Sequence, residues 1–148
     1  MNRVTDKDHG AKRLLEQIAK IKGAAVDVGV LGDKAAAQHG ETTVADIAVI
    51  HEFGLGVPER SFVRGYVDGN PRSTQTARKA AEAVAKGMDV EQALNLVGLS
   101  HVGGMQQRIA DGIDPPLSES TIKGKGSSTP LIDTGQLRSS ITHRLVKP

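Results

Sequence analysis

The chain of 148 residues contains no cysteine and no tryptophan. Without thiols, disulfide scaffolds, zinc knuckles, iron–sulfur sites and thiol catalysis are excluded. No window approaches the roughly 18 consecutive apolar residues that span a bilayer. Met1-Asn2-Arg3-Val4-Thr5-Asp6 is charged early and lacks the apolar stretch of a signal peptide. A soluble protein made in a cytoplasm, with no membrane partner, is therefore expected. Aromatic residues are almost as scarce: Phe53, Phe62 and Tyr66 are the three, and they fall within 14 consecutive positions. Aromatic side chains usually dominate a core, so this one must be built mainly from Leu, Ile, Val and Ala. A hydrophobic content of 38% is low for a self-sufficient globule of this length. It points to an oligomer in which neighbours complete the core or the surface.

Charge of one sign is also lacking overall, the net being +2. The excess is local. Residues 117–148 carry Lys123, Lys125, Arg138, Arg144 and Lys147 against Glu119 and Asp133. Such a basic third can meet phosphates or an acidic protein surface, or simply be solvated. Nucleic-acid readers generally add aromatic stacking or a dense basic face, and neither is found here.

What is present reads as an α+β domain. A short strand around Val4 enters a helix over about 10–22, with Leu14, Leu15, Ile18 and Ile21 at helical spacing. Val26, Val28 and Val30 alternate as in a half-buried strand. The polar, Ala-rich stretch 33–43 reads as a flexible loop. Helices follow over about 44–53, ended by Gly54, and from Pro58, with Phe62, Val63, Tyr66 and Val67 on one stripe. Another runs over about 71–86. Asp89 with Gln92 three residues on starts a long helix over about 90–111, whose inward stripe is Leu94, Val97, His101, Met105 and Ile109. Gly98, Gly103 and Gly104 inside it cost helix propensity and permit close approach of another element. Ser118 caps a turn reaching Ile122, 123–129 is a second flexible loop, and Asp133 caps a short turn with Gln136. Ile141, His143 and Leu145 share a face of a closing strand over 139–146. One domain, 1–148, results: a small, mostly antiparallel sheet packed by several helices.

Catalytic patterns are weak. The five histidines form no His-Glu-x-x-His and no three-ligand cluster. His51-Glu52 could form a proton-transfer pair, but neighbours on a helix point about 100° apart. Gly29-Val30-Leu31-Gly32 opens into a loop and not a phosphate-binding helix. Gly124 to Ser128 lacks the Gly-Lys-Ser/Thr ending of a phosphate loop. Asp114, Glu119 and Asp133 are the carboxylates from which a glycosidase pair could be drawn, with capping and helix-terminal charge as the plainer reading. No catalytic residue, cofactor or metal is expected.

Two segments carry a family resemblance. The first is Ile47-Ala48-Val49-Ile50-His51-Glu52-Phe53-Gly54, then Val57-Pro58-Glu59-Arg60-Ser61-Phe62-Val63-Arg64. The second is Pro115-Pro116-Leu117-Ser118, Thr121-Ile122-Lys123, Gly126-Ser127 and Pro130-Leu131-Ile132-Asp133-Thr134-Gly135-Gln136-Leu137-Arg138-Ser139-Ser140-Ile141. Together they resemble the neck and tail-completion proteins of tailed bacteriophages, also named virion morphogenesis proteins. The resemblance covers most of the chain and is weakest at the N-terminus and in 33–43.

The resemblance implies a non-enzymatic virion part, made in the host bacterial cytoplasm and located in the tail or neck. Its partners would be further copies of itself in a ring, commonly a hexamer, together with the tail tube or tail terminator and the head connector. His51, Glu52, Phe53, Gly54, Pro58, Arg60, Ser61 and Phe62 would fix a helix–helix corner, packed by Phe53, Phe62 and Tyr66. Leu117, Ser118, Asp133, Thr134, Gly135, Leu137 and Arg138 would shape the approach to the final strand. Two alternatives stand beside this. One is a head-side connector adaptor touching DNA in the ring through Lys123, Lys125, Arg138 and Arg144. The other is a virion-associated hydrolase using His51 or Asp133.

Overall fold

Asp89 begins the element around which the rest is arranged. In the computed structural model, which describes residues 10–70, 72–125 and 128–146, its carboxylate accepts the Glu91 N–H at 2.9 Å. Partial desolvation pushes its pKa up, but the Glu91 N–H and Lys20 outweigh this and hold it below the ordinary carboxylate value. The long helix that follows, Val90–Asp111, has 22 residues, about 33 Å of length. In chain order the helices are α1 (Ala11–Ile21), α2 (Asp33–Ala36), α3 (Val44–Phe53), α4 (Arg64–Asp68), α5 (Arg72–Ala85), α6 (Val90–Asp111), α7 (Glu119–Lys125) and α8 (Gln136–Ser140). The strands are β1 (Ala25–Val30), β2 (Gln38–His39), β3 (Thr42–Thr43) and β4 (Ile141–Val146). The fold is mixed α+β, as expected. None of the described helices is long and apolar enough to cross a membrane.

β1 and β4 pair antiparallel, with Val26 opposite Leu145, Val28 opposite His143 and Val30 opposite Ile141. The two alternating sets read from the sequence thus lie on one face of one ribbon. α6 packs against both strands, with α5 alongside it. Gly98 lets the helix lie close against the ribbon: a Cβ there would overlap the His143 ring, whose Nε2 pairs with Asn95 Oδ1 at 3.1 Å. Gly104 makes the same allowance for Tyr66, whose hydroxyl meets His101 Nδ1 at 3.1 Å. Two of the helix-interior glycines therefore admit rings of this same chain. Desolvation raises the Tyr66 pKa. Phe62, Val44, Met105, Ile109, Leu137 and Ile141 form the heart of the core, while Val84, Val90 and Ala93 make a smaller α5–α6 cluster.

Four expectations need correction. The stretch 33–43 is not simply a loop: it holds α2 and the hairpin β2–β3, a second two-stranded sheet. Val44 N–H bonds the Ala37 carbonyl at 2.9 Å, and Thr43 and Asp46 form a reciprocal capping box that starts α3. The Thr43 hydroxyl, and then its N–H, hold the Asp46 pKa below its ordinary value. Second, no helix begins at Pro58; α4 starts at Arg64, because a carboxylate from α3 captures the intervening N–H groups. Third, the closing strand begins at Ile141, since 136–140 is helical. Fourth, α7 continues past Ile122 to Lys125. The expected strand around Val4 lies outside the described residues, as do Gly126 and Ser127 of the expected 123–129 loop.

Candidate partner-binding groove

Glu52 lies near the end of a mostly apolar helix and is buried. A carboxylate there must be fully hydrogen-bonded or costs several kcal/mol. It is fully engaged. Oε2 accepts the N–H groups of Phe62 (2.9 Å) and Val63 (3.0 Å), while Oε1 accepts the Arg64 N–H and the Ser61 hydroxyl, both at 2.8 Å. α3 therefore caps the start of α4 from outside, and 58–63 is held non-helical. Gly54 ends α3 in the left-handed conformation at φ 66°, where a Cβ would press on Glu59 at 3.0 Å.

Arg60 extends the corner to the second segment. It is buried, and its Nε and Nη2 donate to the Pro115 carbonyl at 3.0 and 2.8 Å. Arg108 of α6 adds Nε to the Ser61 carbonyl at 3.2 Å. A fork of two parallel N–H groups fixes direction as well as distance. The two segments that carry the family resemblance are thereby fastened together, 55 residues apart in sequence.

Between them lies a groove of about 560 Å³. One wall is Val44, Ile47 and His51 of α3 with Val57 and Pro58; the other is Pro116, Leu117 and residues 133–137. Leu131 closes the floor, buried and at φ 64°, a conformation that only strong packing imposes on a leucine. His39 Nδ1 pairs with Gln136 Oε1 at 2.7 Å across one end. Ser118 caps α7 as expected, its Oγ accepting the Thr121 N–H at 3.3 Å. Asp133 does not cap α8. Gly135 occupies the cap position at φ 76°, and the Thr134 hydroxyl accepts the Gln136 N–H at 3.3 Å. Asp133 is exposed at the groove instead.

Of the expected corner aromatics, Phe62 is 1% exposed but Phe53 is 57% exposed. Phe53 leaves the packing because Glu52, the adjacent helix position, takes the inward direction; its ring lies under the Arg64 guanidinium, 5.9 Å from centroid to Cζ. The basic residues do not converge on one element. Lys123 is on α7, Arg138 on α8 and Arg144 on β4, where Arg144 pairs with Asp27 at 2.9 Å. The Lys125 side chain lies outside the described residues. His51 and Asp133 both face the groove. Among the described residues, no cluster of His, Cys, Asp or Glu could hold a metal ion.

The sequence pointed to the motif residues but not to the groove they enclose. One signal for Glu52 was available: it is a lone acid late in the apolar run Ile47 to Phe53, a position that needs donors. The groove depends on contacts between 47–60 and 116–137, which no local pattern encodes. No protein-family model, no curated protein and no solved structure matches the chain.

Proposed function

We propose that this chain is a structural subunit of the head–tail junction of a tailed bacteriophage, acting in a ring that completes the tail and joins it to the head connector. The observation that carries this reading is the clasp at the Glu52 corner, where Arg60 binds the Pro115 carbonyl and so fastens the two segments of the family resemblance beside an open groove. Their polar groups have structural occupations. Glu52 is saturated by backbone and hydroxyl donors and so is not available as a general base, while Arg60 spends its Nε and one Nη2 N–H on the Pro115 carbonyl. What the clasp leaves accessible is a groove of about 560 Å³ in which Val44, Ile47, Val57, Pro58 and Leu117 stand beside His51, Asp133 and Gln136.

The DNA-contacting adaptor gains less support, because Arg144 pairs with Asp27 and the other cations are divided between α7 (Lys123, Lys125) and α8 (Arg138). The test is electron microscopy of particles made without this protein. Finished heads beside unattached tails are the expected outcome. Normal, infectious virions in its absence would overturn the proposal.

A further inference from the structure

α1 is attached to the body in an unusual sense. An amphipathic helix normally buries its apolar stripe and exposes its charges. Here the polar residues face inward, and Gln17 is the only buried residue of the helix. Its side chain accepts the Val90 N–H at 3.1 Å, Arg13 donates to the Gly87 carbonyl at 2.8 Å, and Lys20 reaches Asp89 at 3.4 Å. Leu14, Leu15, Ile18 and Ile21 are left 40–66% exposed. A cavity of about 440 Å³ lies between α1 and the end of α5, with Arg13, Leu14 and Gln17 on one side and 84–87 on the other. Close side-chain interdigitation, the rule where a helix is packed into a body, is missing along that side.

Such an attachment holds weakly. Each polar contact replaces one that water would make, so its net worth is small. The Lys20–Asp89 pair is exposed on both sides. An 11-residue helix is also shorter than isolated helices that persist in water, so it depends on its seat. A swivel stands at its end: Lys22 is extended, Gly23 lies at φ 83°, and Ala25 already belongs to the strand paired with β4. The seat in turn depends on α1. Val90 is the first residue of α6, and its N–H has no acceptor within that helix. Asp89 serves its neighbours, its carboxylate taking the Glu91 N–H and its carbonyl the Ala93 N–H. Gln17 supplies the acceptor that Val90 needs.

We infer that α1 is a detachable arm that opens as one unit about Gly23, and that its seated form is a removable cap on the first turn of α6. Seating fixes Val90, whose side chain packs with Val84 and Ala93 in the α5–α6 cluster. Opening hands the Val90 N–H to water and melts the arm in the same step. The state of the arm is thereby coupled to the start of the longest helix. The coupling lies within one chain and is independent of the ring reading.

Amide hydrogen exchange of the full-length chain, followed by NMR, reads the opening. The amides of Leu14 to Ile21 and of Val90 should share one protection factor, roughly 100-fold below those of Met105 and Ile109 in the core. Arg13 is exposed and makes no bond to Val90, so Arg13→Ala isolates the arm's own attachment. It should speed exchange at the α1 amides and at Val90 alike, by about tenfold. Gln17→Ala should do the same, and Gln17→Glu should restore slow exchange, because a carboxylate can accept the same N–H. The Ala93 amide, bonded to the Asp89 carbonyl at 3.0 Å, should hold in every variant. If Gln17→Ala fails to fold, the Arg13→Ala chain decides alone. Protection in α1 equal to that of Met105 and Ile109 would make the helix part of the body and overturn the inference. An Arg13→Ala chain in which Val90 does not follow the α1 amides, or in which neither moves, would overturn it as well.

Discussion

The Glu52 corner and α1 both reverse the usual placement of polar and apolar residues, and they do so with opposite consequences. At the corner, a carboxylate and a guanidinium are buried while Phe53 faces solvent. In α1, a glutamine is buried while four aliphatic side chains face solvent. The corner is complete within one chain, since its donors and acceptors are matched at 2.8–3.0 Å. α1 is complete only in its polar contacts. Buried polarity that is satisfied stabilises a unique geometry, whereas exposed apolar surface leaves free energy to be gained from a partner.

Breaking the corner should give the largest change. Glu52→Ala strands three backbone N–H groups and the Ser61 hydroxyl, and should destabilise the fold by about 3–5 kcal/mol, read by urea denaturation. A midpoint unchanged from the parent would mean that α4 is capped some other way.

The two phenylalanines sharpen the same contrast. Phe62→Ala should cost about 3–5 kcal/mol, as expected for a fully buried ring. Phe53→Ala should stay within about 1 kcal/mol, losing an exposed cation–π contact. Equal losses would show that Phe53 packs in the core after all.

Gly98→Val tests the close approach of α6 to the ribbon. It should cost about 1–3 kcal/mol by expelling the His143 ring, and the His143 imidazole resonances in an NMR spectrum should move with it. On the α1 side, Leu15→Glu should alter the stability of the single chain by no more than about 0.5 kcal/mol, since the side chain is exposed.

The smallest effect is expected from pH. Asp46 and Asp89 are held below the ordinary aspartate value of 3.8, so their contribution is fully present above that value. It is lost as the pH falls through their lowered pKa values, when the caps of α3 and α6 are protonated. A thermal midpoint that declines on acidification below 3.8, and declines less in Asp46→Asn, is the expected record. Both groups are exposed, so solvent screening keeps the change small.

Much of the fold is local and could be read from the chain. The capping pair Thr43 and Asp46, the stop at Gly54, the start at Asp89 and the period-two faces of β1 and β4 all depend on residues a few positions apart. The sequence alone therefore determined the α+β class, the long helix and the scarcity of aromatic packing, but not α2, the β2–β3 hairpin or the start of α4. Tertiary structure decided which way ambiguous side chains point. Glu52 and Phe53 are adjacent, and only the nearby N–H groups of 62–64 select the carboxylate for the interior. α1 is amphipathic in sequence, but its polar side docks because the α5–α6 corner presents a carbonyl, an N–H and a carboxylate there. Hydrogen-bond partners supplied from distant residues outweighed hydrophobic periodicity at both places, and periodicity carries no information about where those partners will be.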